Sequence, residues 1–337
     1  MNDNTLDNTL KEGKLPPDLL ESLLELTSRE AGIEVEAAVG EDAAVVEGAR
    51  RLVITADPIT FTDKDIGVYT VAVNCNDIVA MGGEPRFLTT TLLLPSGTTE
   101  GRLRELFADL AKAARAAGVC WVGGHTEVTS AVNRIVVSGQ AVGYLHGEPT
   151  TTAGARAGDA VVMTKWAGLE GTTVMARVHP EECRRILGPA GHEEVLSWLY
   201  DPGISIVREG RVLNDLTLSS AHDPTEGGIA TGLREIAVRS KVGAVIEWER
   251  IPIREETERL CRRWDIDPLG LLSSGVFLFT AAETTAEAAC RKLERAGLPA
   301  GIIGHITADP GDLRLIRSGR TGVLPEFARD EFLKIEP

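Results

Sequence analysis

The chain has 337 residues, 43% of them hydrophobic and 25% charged, which suggests two globular domains of ordinary composition. Its 35 Lys and Arg against 50 Asp and Glu give a net charge of -15. That balance argues against nucleic acid and anionic membrane as main partners, because both need clustered cations.

The polar start MNDNTLDNTLKEGK lacks the pattern of a secretion signal, and no run approaches the ~18 apolar residues of a membrane span. The five cysteines are far apart and form no CxxC pair, so neither a zinc site nor a disulfide framework is expected. A cytoplasmic protein is the expectation.

Residues 1–14 are expected to be disordered. After Pro16-Pro17, Leu19, Leu20, Leu23, Leu24 and Leu26 predict a short amphipathic helix. Strands are predicted at 42–47 and 51–56. Residues 66–81 read as a helix, because Val68, Val71, Ala72, Cys75, Ile78 and Val79 recur at helical spacing. Asp63 or Asp65 would cap its start and Gly82-Gly83 would end it. A strand at 86–94, a helix at about 99–117 stopped by Gly118, and strands at 119–123 and 133–145 complete the first half.

The glycine-rich stretch 154–159 marks a boundary, giving expected domains 1–152 and 153–337. In the second half, helices are predicted near 170–178, 192–199, 203–214, 225–239, 254–264 and 285–296. Strands are predicted near 216–221, 243–248, 275–280 and 301–306. Strands and helices alternate in both halves, so the expected fold class is mixed α+β.

Acids interrupt segments that otherwise read as buried. Asp42 lies in Gly40-Glu41-Asp42-Ala43-Ala44-Val45-Val46, and Asp57 ends the run Leu52-Val53-Ile54-Thr55-Ala56. Asp77 sits in the apolar helix pattern beside Asn74 and Asn76, and Glu127 follows Gly123-Gly124-His125-Thr126. A buried carboxylate is costly unless it is paired or binds a metal. Mg²⁺ takes oxygen ligands, commonly one or two carboxylates completed by phosphate and water. The set therefore points to a cation carrying a phosphate ligand, and the simpler reading of each acid alone is a cap.

Gly123-Gly124 reads as a turn whose N–H groups can approach phosphate, with His125 as a proton-transfer candidate. The segment His222-Asp223-Pro224-Thr225-Glu226-Gly227-Gly228 opens a helix. Two glycines there suit an anion at the helix N-terminus, or else a tight helix–sheet contact. Lys165-Trp166, after a strand and before Gly168 and Gly171, could border a nucleotide, and an ordinary loop is the favoured reading.

At these residues the chain resembles the aminoimidazole ribonucleotide (AIR) synthetase superfamily, also called PurM-like. Gly40-Glu41-Asp42-Ala43-Ala44-Val45 resembles its GDDAAV segment, and Thr55-Ala56-Asp57 its TxD strand end. Residues 74–85 resemble its N-D-(apolar)-A-x-G-A-x-P segment, and residues 123–127 its GG-[DEH]-T segment. Within the superfamily the hydrogenase-maturation protein HypE is nearest, through residues 222–228, Ile251-Pro252-Ile253 and Asp267-Pro268-Leu269-Gly270.

The resemblance implies an N-terminal ATP-binding domain, a C-terminal domain with its own sheet, a homodimer, and ATP with Mg²⁺ as cofactors. It implies that Asp42, Asp57 and Asp77 hold metal and nucleotide, with Asn76 beside them. Gly123, Gly124 and Glu127 would border the phosphates. Asp223, Thr225, Gly227 and Gly228 would face the transferring end.

The implied activity is ATP-dependent activation of a carbonyl or carboxamide oxygen on a small-molecule or protein-borne acceptor. A small-molecule kinase resembling thiamine-monophosphate kinase, or a non-catalytic nucleotide-binding maturation partner, are the alternatives. Three departures bear on this. Glu41 replaces the usual first Asp, and Glu226 replaces the Arg of HypE's DPTRGG. The sequence also ends Phe332-Leu333-Lys334-Ile335-Glu336-Pro337, where HypE has a cysteine that carries its carbamoyl group. Dehydration of a self-carried thiocarbamate is therefore not expected.

Overall fold

The computed structural model describes residues 17, 21, 33–35, 38–41, 43–46 and 50–335. The leucines of the helix expected after Pro16-Pro17 lie outside the described residues, as does Asp42.

The first half forms a six-stranded sheet. Its strands, in order across the sheet, are β1 (Ile33–Val35), β2 (Ala44–Val46), β3 (Leu52–Ile59), β6 (Val136–Leu145), β4 (Gly83–Pro95) and β5 (Cys120–Thr129). Neighbours are antiparallel except β4 and β5, which run parallel. Helices α1 (Ile66–Ala80) and α2 (Glu100–Ala117) belong to this half. Thr99 caps α2 by accepting from the Arg102 N–H, and Gly118 ends it at φ 70°. Gly67 lets the two helices cross closely, because a Cβ there would lie 2.5 Å from the Leu110 nitrogen.

Alternation decides what each face of the sheet meets. Along β3, Val53 and Ile59 are buried while Ile54, Ala56 and Pro58 are exposed. Thr55 and Asp57 are half-buried and share the inner face with Val53, the face that α1 covers.

The second half forms a seven-stranded sheet in the order β13 (Arg320–Val323), β12 (Leu313–Arg317), β9 (Gly243–Glu247), β11 (Ala300–Thr307), β7 (Ala160–Thr164), β10 (Leu278–Ala281), β8 (Ser220–His222). Its helices are α3 (Leu169–Val178), α4 (Pro180–Ser197), α5 (Val207–Leu213), α6 (Gly228–Ser240), α7 (Glu255–Trp264) and α8 (Glu283–Arg295).

One apolar cluster joins the halves. It includes Val71, Cys75, Ile78 and Val79 of α1, Ile206 and Val207, and Val162, Phe277 and Phe279 of the second sheet. Gly210 allows α5 to meet α1, since a Cβ there would sit 2.5 Å from Val79. A polar clamp reinforces the join. Asn76 donates to the Ile204 carbonyl at 2.9 Å and accepts from the Ile206 N–H at 2.9 Å, fully buried.

The structure corrects two local expectations. Gly123-Gly124 is not a turn after a strand: β5 runs straight through both glycines, with a register irregularity against β4. A Cβ at Gly124 would lie 1.8 Å from the Thr90 carbonyl oxygen, so glycine is what lets the two strands pair there. The hairpin of β12 and β13 was not expected. Its turn has Ser318 at φ 50° and Gly319 at φ 72°, the backbone of a tight hairpin loop. Among the described residues no helix is long and apolar enough to cross a membrane.

Candidate functional site

The site starts where β3 meets α1. The Thr55 hydroxyl donates to Asp77 Oδ2 at 2.6 Å and reaches Asp57 Oδ2 at 3.5 Å, so two carboxylates converge on one hydroxyl. Asn74 fixes the strand to the helix. Its Oδ1 accepts from the Asp57 N–H at 3.0 Å, and its Nδ2 donates to the Thr70 carbonyl at 2.9 Å. Gly139 makes room for that side chain, since a Cβ there would lie 2.3 Å from Asn74 Nδ2.

Hard oxygen donors of this kind suit Mg²⁺. Among the described residues no three His, Cys, Asp or Glu side chains form a set that could hold a metal ion without help. Two carboxylates with phosphate and water completing the shell are the usual Mg²⁺ arrangement, and these residues fit it.

The Gly40–Glu41 segment packs on the second half. Glu41 pairs with Arg239 of α6 at 3.1 Å, and Gly40 lies against Arg239 and Glu235. The lengthened Glu41 side chain is thus a domain bridge. The same helix holds His222, whose Nε2 lies 2.7 Å from Glu235 Oε2. His222 and Asp223 are both buried.

The start of α6 is filled from within the chain. The Gly227 N–H donates to Asp330 Oδ2 at 2.8 Å, so the group that fills this helix N-terminus is a carboxyl of the chain itself. Gly228 answers to packing: at φ 61°, a Cβ would lie 2.5 Å from the Leu269 oxygen and 2.6 Å from the Leu271 oxygen. Thr225 is half-buried and Glu226 exposed beside this turn. Burial pushes the Asp330 carboxyl up to about 7 despite backbone donors from Phe332, Gly227 and Leu272. Glu170, wholly buried on α3, is also pushed up to about 7 by burial, against hydrogen bonds from Ser274.

Two side chains singled out in the sequence lie apart from this cluster. His125 and Glu127 sit 3.2 Å from each other on the exposed edge strand β5. They pair opposite Thr91 and Leu93, on the sheet face opposite to Thr55 and Asp57. Gly124 shares a row with Thr90, Gly139 and Asp57, three strand spacings or ~14 Å from β3.

Sequence reasoning missed Lys165. It is fully buried at φ 53° and donates to the carbonyls of Gly203 (3.1 Å) and Ser205 (2.8 Å). It also pairs with buried Glu209 at 2.9 Å. Burial lowers the Lys165 pKa, with the Glu209 charge opposing. The only local signal was a cation right after an apolar strand.

Residues 40–145 match the family model described as AIR synthase related protein, N-terminal domain, and residues 156–315 match its C-terminal domain. A carbamoyl dehydratase HypE of Rhodobacter capsulatus is 30% identical over 318 residues, covering 90% of this chain and 89% of that protein. The crystal structure of a HypE–HypF complex superposes with TM-score 0.74 at 25% identity, covering 91% of this chain and 99% of that one. A HypE crystal structure in complex with ATP has the same fold, with TM-score 0.69 at 24% identity, covering 87% of this chain and 90% of that one.

Proposed function

The chain belongs to the AIR synthase related family, and from that premise we propose that it is an ATP- and Mg²⁺-dependent enzyme that phosphorylates a carbonyl or carboxamide oxygen. The observation that carries the reading is the convergence of Asp57 and Asp77 on Thr55, held by Asn74. The dehydratase relative and the ATP-bound HypE of like fold support it. Asp57 and Asp77 would hold Mg²⁺, which when bound neutralises phosphate charge.

In the transfer, the bond from the γ-phosphorus to the ADP oxygen breaks and a bond from that phosphorus to the acceptor oxygen forms. The carbon–oxygen bond then breaks and the oxygen departs as phosphate, while the carbon either takes a nucleophile or, in a carboxamide, forms a nitrile as its nitrogen gives up its protons. Asp223 and Thr225 are the candidates for facing the acceptor end. Calorimetric titration with ATP and Mg²⁺ tests the reading: absence of Mg²⁺-dependent binding refutes it. Product analysis then separates it from a kinase, because a stably phosphorylated acceptor would mean simple kinase chemistry.

A homodimer belongs to the same proposal. The outer face of the first sheet and its edge strand expose Ile54, Phe87, Val122 and Val128, and a second copy would cover them. This would also supply the only neighbours that His125 and Glu127 lack within one protomer. Sedimentation of a monomer at micromolar concentration would overturn that part.

A further inference from the structure

A cavity of about 700 Å³ opens beside the loop that leads from β3 into α1. It is lined by Phe61 to Asp65 of that loop, by Arg134 from the β5–β6 connection, and by the α3–α4 junction with Tyr200. Both halves of the chain therefore build it.

Its charge is opposite to that of the chain. Lys64, Arg134, Arg177 and Arg184 line it, against Asp63 and Asp65. Asp65 is already neutralised, since Arg177 and the Tyr200 hydroxyl both donate to its carboxylate. Burial works against that carboxylate, but these donors outweigh it and hold its pKa below the ordinary value. Arg184 is tied only to exposed Glu181 at 3.0 Å, an exchangeable surface pair. Lys64 and Arg134 have no ion pair among the described residues.

The polar matching is incomplete at the wall. Arg177 Nε is buried with no hydrogen-bond partner, and Arg177 lines the cavity. His192 Nε2 donates to the Ala176 carbonyl at 3.0 Å, and its Nδ1 faces the exposed Glu193 carboxylate at 3.5 Å. A cationic cavity in a strongly acidic protein concentrates anions, and guanidinium groups match oxyanions in geometry.

The cavity also lies within reach of the proposed nucleotide site. Thr62 follows Asp57 by five residues, a span of at most ~18 Å for extended chain.

We propose that this cavity binds the acceptor of the reaction through an oxyanion, phosphate or carboxylate, carried by a small molecule. The proposal rests on the phosphoryl-transfer reading above. The test uses the full chain and two probes, inorganic phosphate and acetate, titrated calorimetrically with and without Mg²⁺ and a non-hydrolysable ATP analogue. The variant is Arg134→Ala combined with Arg184→Ala, both exposed residues whose loss leaves the fold intact.

The expected result is binding of at least one anion, weakened tenfold or more in the double variant, with analogue affinity unchanged. Tighter phosphate than acetate assigns a phosphorylated acceptor, and the reverse assigns a carboxylate. Anion binding unaltered by the double substitution, or no binding of either anion, overturns the proposal. Anion binding that persists while the analogue fails to bind supports the cavity and refutes the nucleotide reading, so the two failures are distinguishable.

Discussion

Asp57 and Asp77 share the hydroxyl of Thr55 between β3 and α1, whereas Glu170 and Asp330 lie in the second half among donors of their own chain. In the first pair the Thr55 hydroxyl lies against both carboxylates, and Asp57 is half exposed. In the second, Ser274 serves Glu170, while N–H groups of Gly227, Phe332 and Leu272 serve Asp330. A buried acid is therefore no marker of a ligand site in itself. What separates the two pairs is exposure: Asp57 is half exposed at its strand, whereas Glu170 and Asp330 are both shut away from solvent.

The largest expected effect breaks the second region. Gly228→Ala drives a Cβ into two carbonyl oxygens at positive φ, so it should lower stability by ~3 kcal/mol or more. Denaturant unfolding measures this, and a loss under ~1 kcal/mol would mean that the turn relaxes freely.

Asp57→Asn breaks the first region in a different currency. It should weaken Mg²⁺–ATP binding at least tenfold, ~1.4 kcal/mol, while the unfolding midpoint stays nearly fixed. The backbone of Asp57, not its carboxylate, anchors Asn74. Unchanged ATP affinity would remove Asp57 from the site.

The third prediction concerns pH. Glu170 and Asp330, both raised to about 7, keep their protons in the folded chain where the unfolded chain has lost them. The folded state thus binds more protons between the ordinary carboxyl range and pH ~7, and stability from these groups falls as pH rises through that window. Glu170→Gln and Asp330→Asn should each flatten the slope between pH 5 and 7. A slope equal to that of the unsubstituted chain would count against the buried, protonated state.

The smallest effect sharpens the contrast. Glu226 is exposed beside Gly227, and Glu226→Arg should tighten nucleotide binding a few-fold, ~0.5–1 kcal/mol. Weaker binding with the fold intact would instead give Glu226 an essential contact.

The first region was legible because its chemistry is local. Asp57 lies on an alternating strand, and Asn74 and Asp77 lie three apart on one helix, so pattern alone brought them toward the same place. The second was illegible because its partners are distant in sequence: Asp330 meets Gly227 across 103 residues. The same distance hid Asn76, whose amide serves the backbone near 204–206 rather than the carboxylates beside it. The Gly123-Gly124 pair misled because glycine marks close backbone approach as readily as a turn, and here Thr90 makes the approach. The run Leu313–Arg317 followed by Ser318-Gly319 did carry a hairpin signal.

The Asn76 clamp has a consequence for motion. Asn76 is the residue before Asp77, and it grips the second half through two backbone hydrogen bonds in a dry environment. Many two-part enzymes must close on their ligands and lose affinity to the entropy of closing. Here the halves are already latched one residue away from a proposed ligand oxygen. Any shift of Asp77 on binding is thus carried directly to the chain at 204–206, and from there to the carbonyls of Gly203 and Ser205 that hold Lys165. Under the proposed function the two halves would thus meet a nucleotide already joined at Asn76, and the acceptor would be the part left to arrive.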